Sequence, residues 1–476
     1  MNSFSQQLSK FHHLSFFQRF FFFSALALLI FSIPFAMRFF QGDPFFPGAS
    51  TYYHMRLITE QHSGFTLTDT ALGEPRPFLF TPYHLLFFLI SSFLSLSLTF
   101  IFLHFFLFCF TFYFLLRLFR FFALPPVHQL LFSVVFFLSP LTLFVYTHIH
   151  PAPLYLFLLV FLVWALVEGY SSWLSIFCVV LLPFFGFAPA FIGLLCLLTL
   201  GHQRQKIALG VLVIMSILFF SFIGFGYGVP PLMHLTSFSE FFADLGAMQG
   251  YSIFTLFLAL TGVIVTWRMK KEYRKYYLLA MLGIVVPFFV EGLLFYQNIF
   301  ISLAASFGFL HLYKRKWSLP SLRFLSLLLV TCGILFTFVS SLSALAASQP
   351  SSSFLAGALW IQEKTPSSSL ILADSSSGFL ISSLAQRTIF LDEQDLFFPS
   401  YAQRTQDLAK ARSATTLPVL HAFFQNYRIT HILFTKAQQE ELYTQSFFML
   451  VENTESFKKV YENNLFTLWE YQGGAA

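Results

Sequence analysis

Apolar runs of roughly 20 residues alternate with short polar or basic intervals from the start of the chain to about residue 348. This spacing predicts membrane spans over Phe20–Phe39, Leu98–Leu116, Val127–Tyr146, Leu154–Val167, Ile207–Phe225, Tyr251–Trp267, Tyr277–Val290, Phe295–Leu312 and Phe324–Leu345. Trp173–Leu200 is interrupted at Pro183, Gly186 and Pro189, which predicts a hairpin of two shorter spans. His84–Ser97 is apolar but short, and it reads as an outer-leaflet or re-entrant helix. The total is about eleven spans, up to thirteen, at ~20 residues each.

The basic residues fall between these runs. Arg117 and Arg120, Arg204 and Lys206, Arg268 to Lys275, and Lys314 to Lys316 form clusters that all fall on one side of the membrane in this reading. The positive-inside rule then leaves the N-terminus, with Lys10 and Arg19, in the cytoplasm. The polar loop 40–83 faces outward. So do the turn Thr147–Pro151, the loop Gly226–Gly250 and the hairpin tip from Glu291 to Asn298.

The pattern changes at the Ser-rich stretch Ser348–Ser353. Beyond it, Phe354–Thr365, Thr416–Arg428 and Lys436–Gln445 have helical periodicity. Leu370–Asp374, His431–Thr435, Lys458–Tyr461 and Leu465–Tyr471 read as strands. The expected organisation is a polytopic membrane domain over residues 1–348 and an extracytoplasmic α/β domain over 349–476.

Composition agrees with a cell-membrane protein. The 476 residues are 57% hydrophobic and 10% charged, with 72 phenylalanines. Soluble domains carry about 25% charged residues. The net charge of +6 resides in the loop clusters and orients the chain, so it does not indicate nucleic-acid binding. Cys109, Cys178, Cys196 and Cys332 all lie in apolar runs, without disulfide or zinc spacing.

Chemically capable side chains concentrate on the outward side. The stretch Gly48–Leu57 places Tyr52, Tyr53, His54 and Arg56 beside the membrane. Ring faces, an imidazole and a guanidinium suit a phosphorylated lipid, and they equally suit an interfacial aromatic belt. His148 and His150 flank Ile149, as two imidazoles that share a ligand do, or as two interfacial histidines ending a helix. Glu240 follows Ser237 and Ser239, as an acid at a functional membrane edge or in a capped first helical turn. Asp43 and Glu74 are the further acids of the first loop, and ordinary solvated carboxylates are the alternative there.

The arrangement resembles the catalytic subunit of oligosaccharyltransferase and, more broadly, the GT-C class of multipass glycosyltransferases, the archaeal members above all. Gly48–Leu57 is similar to the pattern Asp-x-Tyr-Tyr-His-x-Arg. Arg76-Pro77-Phe78 and Thr81-Pro82-Tyr83-His84 resemble the following part of the same loop. Thr236–Glu240 resembles the Ser-Val-Ser-Glu motif. Leu359–Ile361, Leu370–Asp374, Gly378 and Tyr427–Leu433 resemble the family's C-terminal domain. Ser50 stands where the family places an acid. Asp374-Ser375-Ser376 stands at the Trp-Trp-Asp motif that reads an acceptor sequon.

The resemblance implies transfer of a sugar or oligosaccharide from a polyprenyl-phosphate or polyprenyl-diphosphate carrier to a protein or glycan acceptor at the outer face. It implies Glu240 and Asp43 as catalytic acids. Tyr52, Tyr53, His54, Arg56, Arg76 and His84 become substrate contacts, and His148, His150 and Glu240 ligands of a divalent metal, Mn or Mg. Two rivals remain open: a relative that kept the fold but lost the acids and serves as a scaffold, and a transporter of lipid-linked sugars.

Overall fold

The computed structural model describes residues 15–63, 68–77, 81–169, 172–200, 206–227, 242–245, 248, 250–267, 281, 294–393, 398, 400–442 and 446–473. The chain divides into two compact units. The first comprises Met1–Met37, Thr81–Phe222 and Pro231–Ala347. The second comprises Arg38–Phe80, Ile223–Pro230 and Ser348–Ala476.

The first unit is helical. Among the described residues, four helices are long and apolar enough to cross a membrane: Phe16–Gln41, Leu96–Phe121, Leu294–Lys314 and Pro320–Ala346. Pro126–Phe137 and Pro140–Thr147 make a fifth if the pair, bent by 65°, is one span. This is fewer than the eleven to thirteen expected from the sequence. Among the described residues, several apolar runs form helices of 10–17 residues. A helix of 16 residues, such as Ala152–Val167, rises only about 24 Å, short of the ~30 Å hydrocarbon core. Tyr277–Val290 lies almost wholly outside the described residues.

Prolines set the breaks. Pro82, Pro126, Pro140, Pro153 and Pro320 all stand in the first turn of a helix, where the missing N–H costs nothing. At the 65° bend, the Asn298 side chain bonds the side chains of Ser139 and Thr142. Ser139 Oγ donates to Asn298 Oδ1 at 2.8 Å, and Asn298 Nδ2 donates to Thr142 Oγ1 at 2.8 Å. Helices Ile253–Thr266 and Leu294–Lys314 pack backbone to backbone. A Cβ on Gly262 would meet the Ala304 carbonyl oxygen at 1.8 Å, and one on Gly308 would meet that of Leu258 at 2.0 Å. Large apolar side chains such as Phe102, Phe106, Phe110, Phe324 and Phe336 are exposed along the long helices, as a lipid-facing surface requires.

The second unit joins the first loop to the C-terminal α/β segment. Its five-stranded sheet has the order β4-β3-β5-β7-β6. The strands are β3 (Leu370–Leu372), β4 (Thr388–Ile389), β5 (His431–Thr435), β6 (Phe457–Glu462) and β7 (Phe466–Tyr471). β3 runs parallel to β4 and β5, whereas β7 is antiparallel to β5 and β6. The apolar residues of β5 are buried on both faces, so this strand lacks the alternation of a half-exposed one. Leu372, Phe390, Leu420, Phe424, Ile432, Phe434, Phe447 and Trp469 are among the core residues. Lys458 and Lys459 are exposed on the edge strand β6, where charge discourages pairing with another chain.

The first loop is built into this unit. It contains helix Ala49–Ser63 and the short antiparallel pair β1 (Thr68–Asp69) and β2 (Arg76–Pro77). Ala71 accepts a hydrogen bond from Ile389 N–H of β4 at 2.8 Å, and Gly48 N–H donates to Gln349 at 2.8 Å. Arg38, fully buried, donates to three carbonyls, those of Pro44 (2.7 Å), Ser348 (2.5 Å) and Pro350 (2.6 Å).

Candidate functional site

The expected site residues fall into three groups. Asp43, Tyr52, Tyr53, His54, Arg56 and Arg76 belong to the second unit, and His84, His148 and His150 to the first. Glu240 lies outside the described residues.

In the second unit, helix Ala49–Ser63 starts one residue after Gly48, whose φ of 82° turns the chain into it. The i, i+3, i+7 spacing puts Tyr53, Arg56 and Glu60 along one side. Arg56 forms a fork on Asp69 of β1, Nη1 to Oδ1 at 2.9 Å and Nη2 to Oδ2 at 2.9 Å, and also reaches Glu60 at 2.9 Å. Arg76 of β2 takes the other side of the same carboxylate, with Nε at 2.9 Å and Nη2 at 2.7 Å from Oδ2. It then spans to Asp392, just beyond β4, through Nη1–Oδ1 at 2.8 Å and Nη2–Oδ2 at 2.6 Å. Arg56, Arg76, Asp69 and Asp392 are all buried.

The Tyr53 ring lies beside both guanidiniums, 5.8 Å from Arg56 and 5.7 Å from Arg76, and against Phe379 at 4.7 Å. Burial raises the Tyr53 phenol above its ordinary range, and burial likewise pushes Tyr52 up to about 12. Burial opposes ionisation of Asp69, but the two guanidiniums outweigh it and hold its carboxyl well below the usual range. Two cations thus face two buried anions and the half-exposed Glu60. Arg56 and Arg76, expected as substrate contacts, have their forks occupied by carboxylates and hold the loop together in this arrangement.

Asp43, expected as a catalytic acid, accepts the Ser352 backbone N–H at 2.7 Å at the start of helix Ser352–Lys364. Glu74 binds Arg404 at 2.9 Å and Ser400 at 2.9 Å. His54 packs edge-on against Tyr53, with ring centres 5.2 Å apart.

In the first unit, His84 Nδ1 lies 2.8 Å from Thr81 Oγ1 at the start of helix Pro82–Ser91. His148 follows helix Pro140–Thr147, and its ring stacks on Phe144 at 4.2 Å. His148 Nδ1 lies 3.2 Å from the Phe144 carbonyl oxygen. His150 Nδ1 accepts the Ala152 N–H at 3.0 Å. Histidines 148 and 150 therefore terminate one helix and start the next.

Three buried participants were not legible as such in the sequence: Asp69, Asp392 and His104. Asp69 is an acid in a polar loop and resembles its solvated neighbours. Asp392 lies 316 positions from Arg76, so no local pattern connects them. His104 was hidden in an apolar run, although an imidazole in such a run is itself a signal.

For a divalent metal the donor set is the test. Among the described residues, no group of three or more His, Cys, Asp or Glu side chains forms a metal-ligand cluster. The set that the resemblance implies is His148, His150 and Glu240, and Glu240 lies outside the described residues.

No family model and no curated protein matches the chain by sequence. Solved structures do match its shape. The archaeal oligosaccharyltransferase AglB from Archaeoglobus fulgidus, in complex with an inhibitory peptide and a dolichol-phosphate, aligns with a TM-score of 0.61 at 12% identity. That alignment covers 90% of this chain and 71% of AglB. ArnT from Cupriavidus metallidurans, bound to undecaprenyl phosphate, aligns with a TM-score of 0.56 at 11% identity, over 95% of this chain and 98% of ArnT. The chain has the GT-C fold of these structures. A further A. fulgidus oligosaccharyltransferase structure, a complex with Zn and sulfate, aligns with a TM-score of 0.58 at 11% identity. It covers 88% of this chain and 68% of its own.

Proposed function

We propose that this chain is a membrane glycosyltransferase that takes a sugar or oligosaccharide from a polyprenyl-phosphate or polyprenyl-diphosphate carrier and passes it to a protein or glycan acceptor. One observation carries the reading. Two structures that share the fold along most of this chain hold polyprenyl phosphates of different kinds, dolichol-phosphate and undecaprenyl phosphate. In this reading the shorter apolar helices complete a multipass membrane domain, the N-terminus is cytoplasmic, and loop 40–83 and the C-terminal segment face outward.

The residue roles follow from the chemistry left available. Glu240 is the acid or base for the acceptor. His148 and His150 bear on the carrier phosphate: His150, whose Nδ1 accepts the Ala152 N–H, has its Nε2–H to donate, whereas His148, whose Nδ1 faces the Phe144 carbonyl, donates through Nε2 only as the imidazolium. Arg56 and Arg76 act through Asp69 and Asp392, keeping Tyr53 and His54 in place.

A second reading has an observation of its own. Ser50 and Ser376 stand where the resemblance expects acids, and Ser376 Oγ donates to Asp374 at 2.5 Å. That favours a relative that keeps the fold as a partner subunit.

Carrier binding separates a ligand-competent protein from a bare scaffold. Purified protein is heated with undecaprenyl phosphate, dolichyl phosphate or the uncharged polyprenol. Stabilisation by the phosphates and not by the alcohol supports the proposed function. Equal melting with all three supports the scaffold.

A further inference from the structure

Three arginines of the first unit gather where two of its long helices meet. The ring contacts Phe16–Tyr113, Phe20–Tyr113, Phe31–Phe108 and Phe35–Phe100 run in opposite chain order. Helices Phe16–Gln41 and Leu96–Phe121 are therefore antiparallel, and the start of the first lies against the end of the second. Tyr113, Arg117 and Arg120 follow the i, i+4, i+7 spacing of one helix face. Arg19 shares the face of Phe16 and Phe20, which packs on Tyr113.

Hydrogen bonds bring the same groups together. Arg19 Nη1 donates to Gln129 Oε1 at 2.9 Å, and Gln129 Nε2 donates to the Leu124 carbonyl at 2.9 Å. Leu124 belongs to the turn in which Ala123 N–H bonds the Arg120 carbonyl at 3.0 Å. The Arg19 guanidinium thus sits at the turn that follows Arg120. Arg117 Nη2 reaches Glu168, the C-cap of helix Ala152–Val167, at 3.3 Å. Helices Phe16–Gln41, Leu96–Phe121, Pro126–Phe137 and Ala152–Val167 themselves contain no Asp or Glu.

Positive charge is left in excess here. Arg120 is exposed, and its guanidinium has no hydrogen bond or ion pair among the described residues. The Nε–H groups of Arg19 and Arg117 are buried without a partner among the described residues, which is costly for a charged donor. Both helices are long and apolar enough to cross a membrane, so this end lies at headgroup level in a bilayer. Phe17, Phe21 and Phe121 are exposed beside it. A guanidinium fork suits a phosphate, and the exposed rings suit acyl chains. A zwitterionic headgroup would need a carboxylate for its cation, and Glu168 already faces Arg117.

We propose that Arg19, Arg117 and Arg120 form a site for the phosphate of an anionic phospholipid, with its acyl chains along Phe17, Phe21 and Phe121. In the orientation proposed above, that lipid belongs to the cytoplasmic leaflet. The site is separate from the candidate imidazoles. Tyr146, two residues before His148, stacks on Phe31 at 5.4 Å, and Phe31 lies about 18 Å along the helix from Arg19. The claim is independent of the sugar-transfer reading.

The test uses full-length protein in mild detergent with phosphatidylglycerol, phosphatidylcholine or inorganic phosphate. Retained lipid is counted by native mass spectrometry, and melting is followed in the same samples. The variants are Arg19→Gln, Arg120→Gln and the pair together. Arg315→Gln/Lys316→Gln removes the same charge from two exposed cations of another cluster. Arg120→Gln breaks no side-chain bond among the described residues, so a loss there reports binding rather than folding. Wild type should retain phosphatidylglycerol over phosphatidylcholine, and be stabilised by it and not by inorganic phosphate. Each arginine variant should weaken retention about fivefold, and the Arg315/Lys316 variant by less than about twofold. Equal retention of both lipids by wild type would overturn the proposal. So would equal stabilisation by inorganic phosphate, or equal losses in the two folded double variants, which would mark a diffuse basic surface.

Discussion

Arg76 and Asp392 meet through two parallel hydrogen bonds of 2.8 and 2.6 Å, although 316 positions of sequence separate them. The same guanidinium also binds Asp69, so one side chain ties the first loop to the sheet of the second unit. Removing one member of a buried ion pair leaves the other charged and desolvated, which typically costs about 3–5 kcal/mol. Arg76→Ala and Asp392→Ala should each lower the melting temperature of purified protein and make the first loop protease-sensitive. Arg76→Lys should restore little, because an ammonium cannot bridge two carboxylates as the fork does. An Arg76→Met/Asp392→Leu double variant should be more stable than either single variant. A double variant as unstable as the sum of the singles would argue against direct coupling.

Acid should destabilise the second unit in two steps of the same sign. His431 in β5 has its pKa lowered mainly by burial, Glu470 opposing and Arg387 reinforcing. The unfolded chain therefore binds this proton more readily, and stability falls as pH drops below about 6.5. Asp69 also has a lowered pKa, so its contribution is present above about pH 4 and is lost as pH falls further. Chemical unfolding between pH 8 and pH 3 tests both. His431→Phe should remove the upper step and Asp69→Asn the lower one.

The contact of Ile253–Thr266 with Leu294–Lys314 depends on two residues without side chains. A Cβ on Gly262 would sit 1.8 Å from a carbonyl oxygen, well inside contact distance. Gly262→Leu should force the helices apart and cost at least the roughly 1–3 kcal/mol typical of overpacking. Gly210 has open space around its Cβ direction, so Gly210→Ala should be nearly neutral. Melting of the two variants in the same detergent compares them directly.

Most elements were legible because their signals are local. The helix expected over Phe354–Thr365 forms as Ser352–Lys364, and strand His431–Thr435 forms as expected. The span expected over Val127–Tyr146 instead bends at Ser139–Pro140, where the proline was visible but its neighbour Asn298, bonded to Ser139, was not. Helix Tyr401–Arg412 and strand β4 were missed. The helix is mostly polar, and a strand of two residues has no periodicity to read. The site was less legible still. Arg56 looks like a phosphate ligand in sequence because its carboxylate partner Asp69 is indistinguishable from a solvated loop acid. Which charges are already spent is a property of the fold.

The central claim is sugar transfer from a polyprenyl-linked donor. Its most direct test is transfer of label in membranes supplied with labelled polyprenyl-phosphate and polyprenyl-diphosphate glycans. Wild type is compared with Glu240→Gln and with the His148→Ala/His150→Ala double variant. The account predicts product with wild type, and at least a tenfold loss in each variant while the protein remains folded. Background signal in all three folded proteins would contradict it and leave the scaffold reading in its place.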